Sequence, residues 1–106
     1  MVSEYIEIDA DGVQRVLADG SLETVRWDGL TEIRIATTSG GPLNEDIFWM
    51  LFGPDRSKGV ALPGSYVDDD LLRWFQSLPG FDNDQVIAAM SSIEDAQFVV
   101  WVDAAA

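Results

Sequence analysis

The chain has 106 residues, with 19 Asp and Glu against 6 Lys and Arg, a formal net charge of −13, and neither His nor Cys. Those two absences exclude Ser-His-Asp and Cys-His nucleophile systems, the zinc-protease motif, thiolate metal sites and disulfides. The charge repels nucleic acid and anionic lipid and steers the chain toward basic protein surfaces or cations, while 47% hydrophobic content is too rich for a disordered acidic tail.

Short β-branched and aromatic runs between turn residues predict strands through the first two-thirds of the chain. Tyr5–Ile8 leads into Asp9-Ala10-Asp11-Gly12, and Val13–Leu17 runs to Asp19-Gly20 and on to Leu22–Trp27. Asp-Gly between two such runs predicts a hairpin closed by a type I′ turn, with positive φ at both central residues. Asp9 to Gly12 briefly resembles a calcium loop, but an EF-hand needs Gly sixth and a bidentate Glu twelfth, so these residues read as a turn. Trp27-Asp28-Gly29-Leu30 opens another turn. Ile33, Ile35 and Thr37 alternate with Arg34 and Ala36, as in a strand with one wet face, and Ser39-Gly40-Gly41-Pro42 breaks it. Glu45 and Asp46 precede Ile47–Phe52, whose unbroken apolar run predicts a central strand covered on both faces. Gly53-Pro54 closes it, Arg56 to Gly59 turns, and Val60–Leu62 is a short strand before Pro63-Gly64.

The period then changes from that of strands to that of helices. Leu71, Leu72, Phe75 and Leu78 fall on one helical face; Asp68 caps the N-terminus, Asp69 and Asp70 suit the positive end of the dipole, and Val67 and Leu72 form a staple. Pro79-Gly80 ends that helix. A second begins at once, with Asp82 as cap, Gln85 three residues on, Phe81 stapled to Val86, and Val86, Ile87 and Met90 as the expected buried face. Gln97–Val102 returns to strand composition, and Ala104 to Ala106 is expected to fray. The expectation is one α+β domain over residues 1–106: a curved antiparallel sheet of about six or seven strands, two consecutive helices on one face, and a C-terminal strand that returns to pair with the sheet.

Carboxylates are the one abundant functional group. Asp68-Asp69-Asp70 has the oxygen ligands for a divalent cation, but helix capping explains all three. Ser57 and Lys58 are adjacent and point to opposite faces, the wrong spacing for a Ser-Lys pair. Of four Trp, Trp49 and Trp101 lie among apolar neighbours and read as core, whereas Trp27 and Trp74 are candidates for part-exposed rings bounded by acids, as at protein-binding hot spots. The candidate partner-binding residues are therefore Trp27, Asp28, Glu45, Asp46, Asp68, Asp69, Asp70 and Trp74, with no catalytic residue, metal or cofactor assigned.

At Trp27-Asp28-Gly29-Leu30, Phe48-Trp49-Met50-Leu51-Phe52-Gly53 and Leu78-Pro79-Gly80-Phe81-Asp82-Asn83 the chain resembles a group of small, functionally uncharacterised bacterial proteins. In that group a Trp-x-x-Leu turn, a Phe-Trp-x-Leu-x-Gly strand and a Leu-Pro-Gly-Phe-Asp-Asn helix junction recur in this order. The resemblance covers nearly the whole chain and implies a bacterial, cytoplasmic origin; it brings no activity, cofactor or catalytic residue. The first part also resembles pleckstrin-homology-like bacterial domains, in which several strands precede a final helix, and the strand Gln97–Val102 departs from that pattern.

Met1 to Asp9 has neither the basic region nor the apolar stretch of a signal peptide. The longest apolar run, Ile47–Phe52, is far short of the roughly 20 residues of a membrane span. Six basic residues scattered singly make no stripe for nucleic acid. The leading expectation is a cytoplasmic, non-enzymatic domain that docks a basic protein partner through its acidic surface. A specific form is an immunity or antitoxin protein that blocks a basic nuclease toxin; a carboxylate-only or divalent-metal hydrolase is the enzymatic alternative.

Overall fold

A side chain closes the first hairpin of the computed structural model, which describes residues 5–38, 47–55, 59–92 and 94–103. Asp9 Oδ1 accepts the N–H groups of Asp11 at 2.9 Å and Gly12 at 3.1 Å, the local satisfaction that makes Asp a turn residue. Strand β1 (Tyr5–Ile8) thereby turns into β2 (Gly12–Val16), which pairs in turn with β3 (Leu22–Arg26) in an antiparallel meander.

The second hairpin departs from the type I′ expectation. Gly20 has φ +86°, but no other kind of residue among those described has positive φ, so Asp19 stays on the right-handed side. The Gly20 N–H donates to Leu17 O at 2.9 Å and the Leu17 N–H to Ser21 O at 2.9 Å. That pattern is a three-residue loop, a turn followed by glycine in the left-handed region. Asp19 holds the loop from its side chain, accepting both the N–H and the hydroxyl of Ser21, at 2.8 and 2.6 Å.

The single curved sheet expected from the strand runs is not formed. Two separate antiparallel sheets occur instead, one of order β1-β2-β3 and one of order β6-β5-β4-β7, where β4 is Glu32–Thr37, β5 Ile47–Phe52, β6 Gly59–Pro63 and β7 Ala96–Val102. The chain changes sheet at Trp27–Gly29, a 3₁₀ turn, after which the Thr31 N–H donates to Phe52 O and starts the second ladder. Where the meander comes alongside β6, a side chain spans the sheets: Arg15 Nη1 donates to Ala61 O at 3.2 Å and lies 3.8 Å from Glu23. Alternation specifies which face of a strand is buried, not which strand lies beside it.

β7 does return to pair with β4. The register slips between Ile33 and Arg34, so that Val100 has no opposite residue. This bulge explains why Val100 and Trp101 are buried in succession although neighbouring strand residues normally face opposite ways. The bulge also anchors the helices: Val100 O accepts the Asp82 N–H at 2.7 Å, and Trp101 Nε1–H donates to Pro79 O at 2.8 Å. In β5, Trp49 and Leu51 are buried but Phe48, Met50 and Phe52 are only half-buried, so one face of this central strand is fully covered and the other partly.

Helix α1 (Asp69–Gln76) is capped by Asp68, whose Oδ1 accepts the Leu71 N–H at 2.8 Å; α2 (Asn83–Met90) is capped by Asp82 through the Gln85 N–H at 3.2 Å. Phe75 of α1 is fully buried and stacks on Trp49 with ring centroids 5.4 Å apart. In α2 the expected buried face holds only at Val86, which is half-buried against the core; Ile87 is 65% and Met90 50% exposed, and Ala89 is the buried residue. The bond from Asp82 to Val100 ties the start of the helix to β7, and the small Ala89 side chain lets the backbone approach the sheet. One hydrophobic cluster joins Val13 and Val25 of the meander to Ile33, Ile35, Leu62 and Phe75. No helix among the described residues is long and apolar enough to cross a membrane. The expected break at Ser39 to Pro42, the acids Glu45 and Asp46, the turn residues Arg56 to Lys58 and the frayed end lie outside the described residues.

Candidate partner-docking cleft

Three segments converge beside the N-terminal half of α1 and leave an open cleft of about 550 Å³ between them. The first turn supplies Ile8, Asp9 and Ala10; the 3₁₀ turn supplies Trp27; Tyr66, Asp68, Asp70, Leu71 and Trp74 come from the entry to α1 and its exposed side. Asp70 and Trp74 are four residues apart in one helix, which sets carboxylate and indole one turn apart on the same face.

The floor is aromatic and continuous with the core. Trp49 stacks on Phe75, Phe75 lies 6.4 Å from Trp27 and 5.8 Å from Trp74, and the two Trp rings meet at 5.2 Å, tilted by 58°. Trp27 Nε1–H donates to Asp9 O at 2.8 Å, so its polar edge is tied to the first turn. Trp74 remains 38% exposed and Tyr66 47% exposed. Large aromatic area at the surface, anchored from beneath, loses little side-chain entropy on contact with a partner.

The acids around this floor differ in how they are occupied. Asp9 Oδ1 and Asp68 Oδ1 are engaged by backbone N–H groups. Asp70 is exposed, and Arg73 approaches it only to 4.0 Å. Asp69, also exposed in the first turn of α1, is not among the cleft's lining residues. Asp28 is not among the residues lining the cleft and pairs with Arg26 at 3.2 and 3.4 Å; that hydrogen bond and the guanidinium charge hold its carboxyl below the ordinary range. Of the residues singled out from sequence, the fold thus brings together Trp27, Asp68, Asp70 and Trp74. Tyr66, Leu71, Ile8 and the turn acid Asp9 join them without a sequence signal, because their proximity exists only once the first hairpin packs beside α1. A smaller depression of about 370 Å³, lined in part by Glu7, Asp9 and Asp11, shares Asp9 with the cleft and extends the acidic surface over the meander. Among the described residues no group of three or more carboxylates is placed to hold a metal ion.

The pH and salt dependence of stability should separate two electrostatic effects. Asp19 and Asp28 have carboxyls held low, the first by Ser21 and the second by Arg26. A lowered native pKa stabilises above the unfolded value, near 3.9 for Asp, and that contribution is lost as the pH falls through the native value. In thermal melts this contribution of Asp19 and Asp28 is expected to be fully present from pH 7 down to about 4 and to be lost below it. Mutual repulsion in a chain of charge −13 is a separate effect that opposes the compact state at neutral pH and low salt. Thermal melts at pH 7 in roughly 10 and 300 mM sodium chloride should show the higher melting temperature at the higher salt. A melting temperature that falls with salt would show that the acids are locally compensated.

Compared with known proteins, the chain matches no family model, no curated protein and no solved structure. What the fold and cleft define is an acidic α+β protein with two sheets and two helices among the described residues, and with an aromatic cleft edged by carboxylates.

Proposed function

We propose that this chain is a non-enzymatic interaction domain that docks a basic protein partner, with the cleft between the first turn and α1 as its anchor. The observation that carries this reading is the exposed surface of Trp74 and Tyr66 beside Asp9, Asp68 and Asp70. Aromatic area contributes most where water is displaced from it, and flanking charge of one sign selects the partner and speeds encounter. The overall charge of −13 supplies the same preference at long range.

A defined probe tests this. A short Lys- and Arg-containing peptide should bind at about 20 mM salt and weaken steadily as salt rises, while an acidic peptide of equal length should not bind. Asp70→Asn and Asp84→Asn remove the same charge, but Asp84 lies on α2 outside the cleft. Titrations followed by tryptophan fluorescence should show Asp70→Asn weakening the basic peptide by about three- to tenfold and Asp84→Asn by less than about twofold. Equal losses in the two variants would reduce the attraction to net charge and remove the cleft from it; no binding at low salt would remove the reading altogether.

A further inference from the structure

The geometry points to an arginine side chain of the partner as the group the cleft receives, its guanidinium lying flat on the exposed face of Trp74 and its N–H fork directed at the Asp70 carboxylate. This rests on the docking reading above and specifies its chemistry. Three cationic groups are in competition: a lysine ammonium, a methylated ammonium and a guanidinium.

Ring spacing decides against the second. A methylated ammonium is held best between aromatic faces, each in carbon contact at about 3.5–4.0 Å, which needs rings about 7–8 Å apart. The Trp27 and Trp74 centroids are 5.2 Å apart and the rings are tilted by 58°, so they touch each other and form a floor without a slot. With no slot between these two rings, the group suited to stack on them is flat. Guanidinium is planar, stacks on indole, is more weakly hydrated than ammonium and carries paired N–H donors that match a carboxylate. The acceptor is in place: Asp70 stands one helical turn from Trp74, on the same face, and Arg73 reaches it only at 4.0 Å. Lysine, a compact and strongly hydrated charge, gains from the acids but loses more hydration against the ring. Asp68 and Asp9 add charge nearby, although each already has one oxygen engaged by backbone N–H groups.

Three synthetic peptides test the assignment. They share a Gly-Ser background and carry three arginines, three lysines or three trimethyl-lysines, so that formal charge and length are equal. Titrated into the intact chain at about 50 mM salt, the arginine peptide is expected to bind about three- to tenfold more tightly than either of the others. Trp74→Leu and Asp70→Asn, each checked by thermal melt, should reduce the ratio of arginine to lysine affinity to near one while leaving weak, salt-sensitive binding of both. Asp70→Asn retains the aromatic floor, so its result stands even where Trp74→Leu disturbs packing. Equal affinities of the arginine and lysine peptides would overturn the arginine assignment and leave the docking reading intact. Tighter binding of trimethyl-lysine, or an arginine preference that survives both substitutions, would also overturn it. Failure of all three peptides to bind at low salt would remove both.

Discussion

Phe75→Ala should lower the unfolding free energy by about 3–5 kcal/mol, the range for a large aromatic removed from a fully packed site. Phe75 has no exposed surface. It stacks on Trp49 at 5.4 Å and lies within 5.8 Å of Trp74 and 6.4 Å of Trp27, so the cavity would open beneath the cleft as well as within the core. For a domain of this size total stability is of order 5–15 kcal/mol, and the variant will be near the edge of folding. Phe75→Leu keeps most of the volume and should lose less. Denaturant melts of both variants, read against wild type, check the ordering. A loss below about 1 kcal/mol for Phe75→Ala would mean that α1 is not packed on β5 in the way the stacked rings require. The same variant should lose the near-ultraviolet signal of ordered tryptophan before it loses helix, since Trp27 and Trp74 rest on the ring that is removed.

Gly12→Ala should cost about 2–4 kcal/mol, which for a chain of this length lowers the melting temperature by roughly 10 °C or more. A Cβ at position 12 would stand 2.2 Å from Val25 O and 2.9 Å from Arg26 Cα, both of them backbone atoms of the neighbouring strand. A side chain in the way can rotate; a paired strand has to move, and the Gly12–Arg26 end of the ladder moves with it. Gly53→Ala provides the control. There the nearest neighbour of a new Cβ among the described residues is Gly29 O at 3.9 Å, an ordinary contact, and the expected change is within about 0.5 kcal/mol. Equal melting temperatures for the two variants would remove the close approach of β2 and β3 from the account of the fold. Because Asp9 donates its N–H to Gly12 O and accepts the Gly12 N–H, loosening this corner should also weaken peptide binding in the cleft.

The features legible in the chain are those whose cause lies within a few residues. Asp68 and Asp82 could be identified as caps because a carboxylate three positions before a free N–H satisfies it in any context, and both do so. Pro79-Gly80 could be read as a junction because Gly80 adopts φ +82°, a conformation other residues avoid. Trp49 and Trp101 could be placed in the core from their apolar neighbours, and both are buried. Even locally there was a limit. The Asp19-Gly20 hairpin was visible, but its loop length was not, because Asp19 accepts both the N–H and the hydroxyl of Ser21 and so holds a three-residue loop.

What the sequence by itself determined is the order and kind of the elements, the capped ends of both helices and the excess of negative charge, since each follows from side-chain periodicity, local hydrogen bonding or composition. The tertiary structure alone decided which strands became neighbours. The 3₁₀ turn at Trp27–Gly29 divides the strands between two sheets, and the bulge at Val100 turns two successive residues inward. It also decided that Ala89, not Ile87 or Met90, faces the core, because the bond from Asp82 to Val100 sets how α2 lies on β7. The cleft belongs to this second group: Asp9, Trp27, Tyr66 and Trp74 are spread over more than half of the chain, and no periodicity relates them. Burying one shared hydrophobic cluster brings the first hairpin against α1, and that long-range packing, which has no counterpart in any short stretch of sequence, places their side chains around one opening.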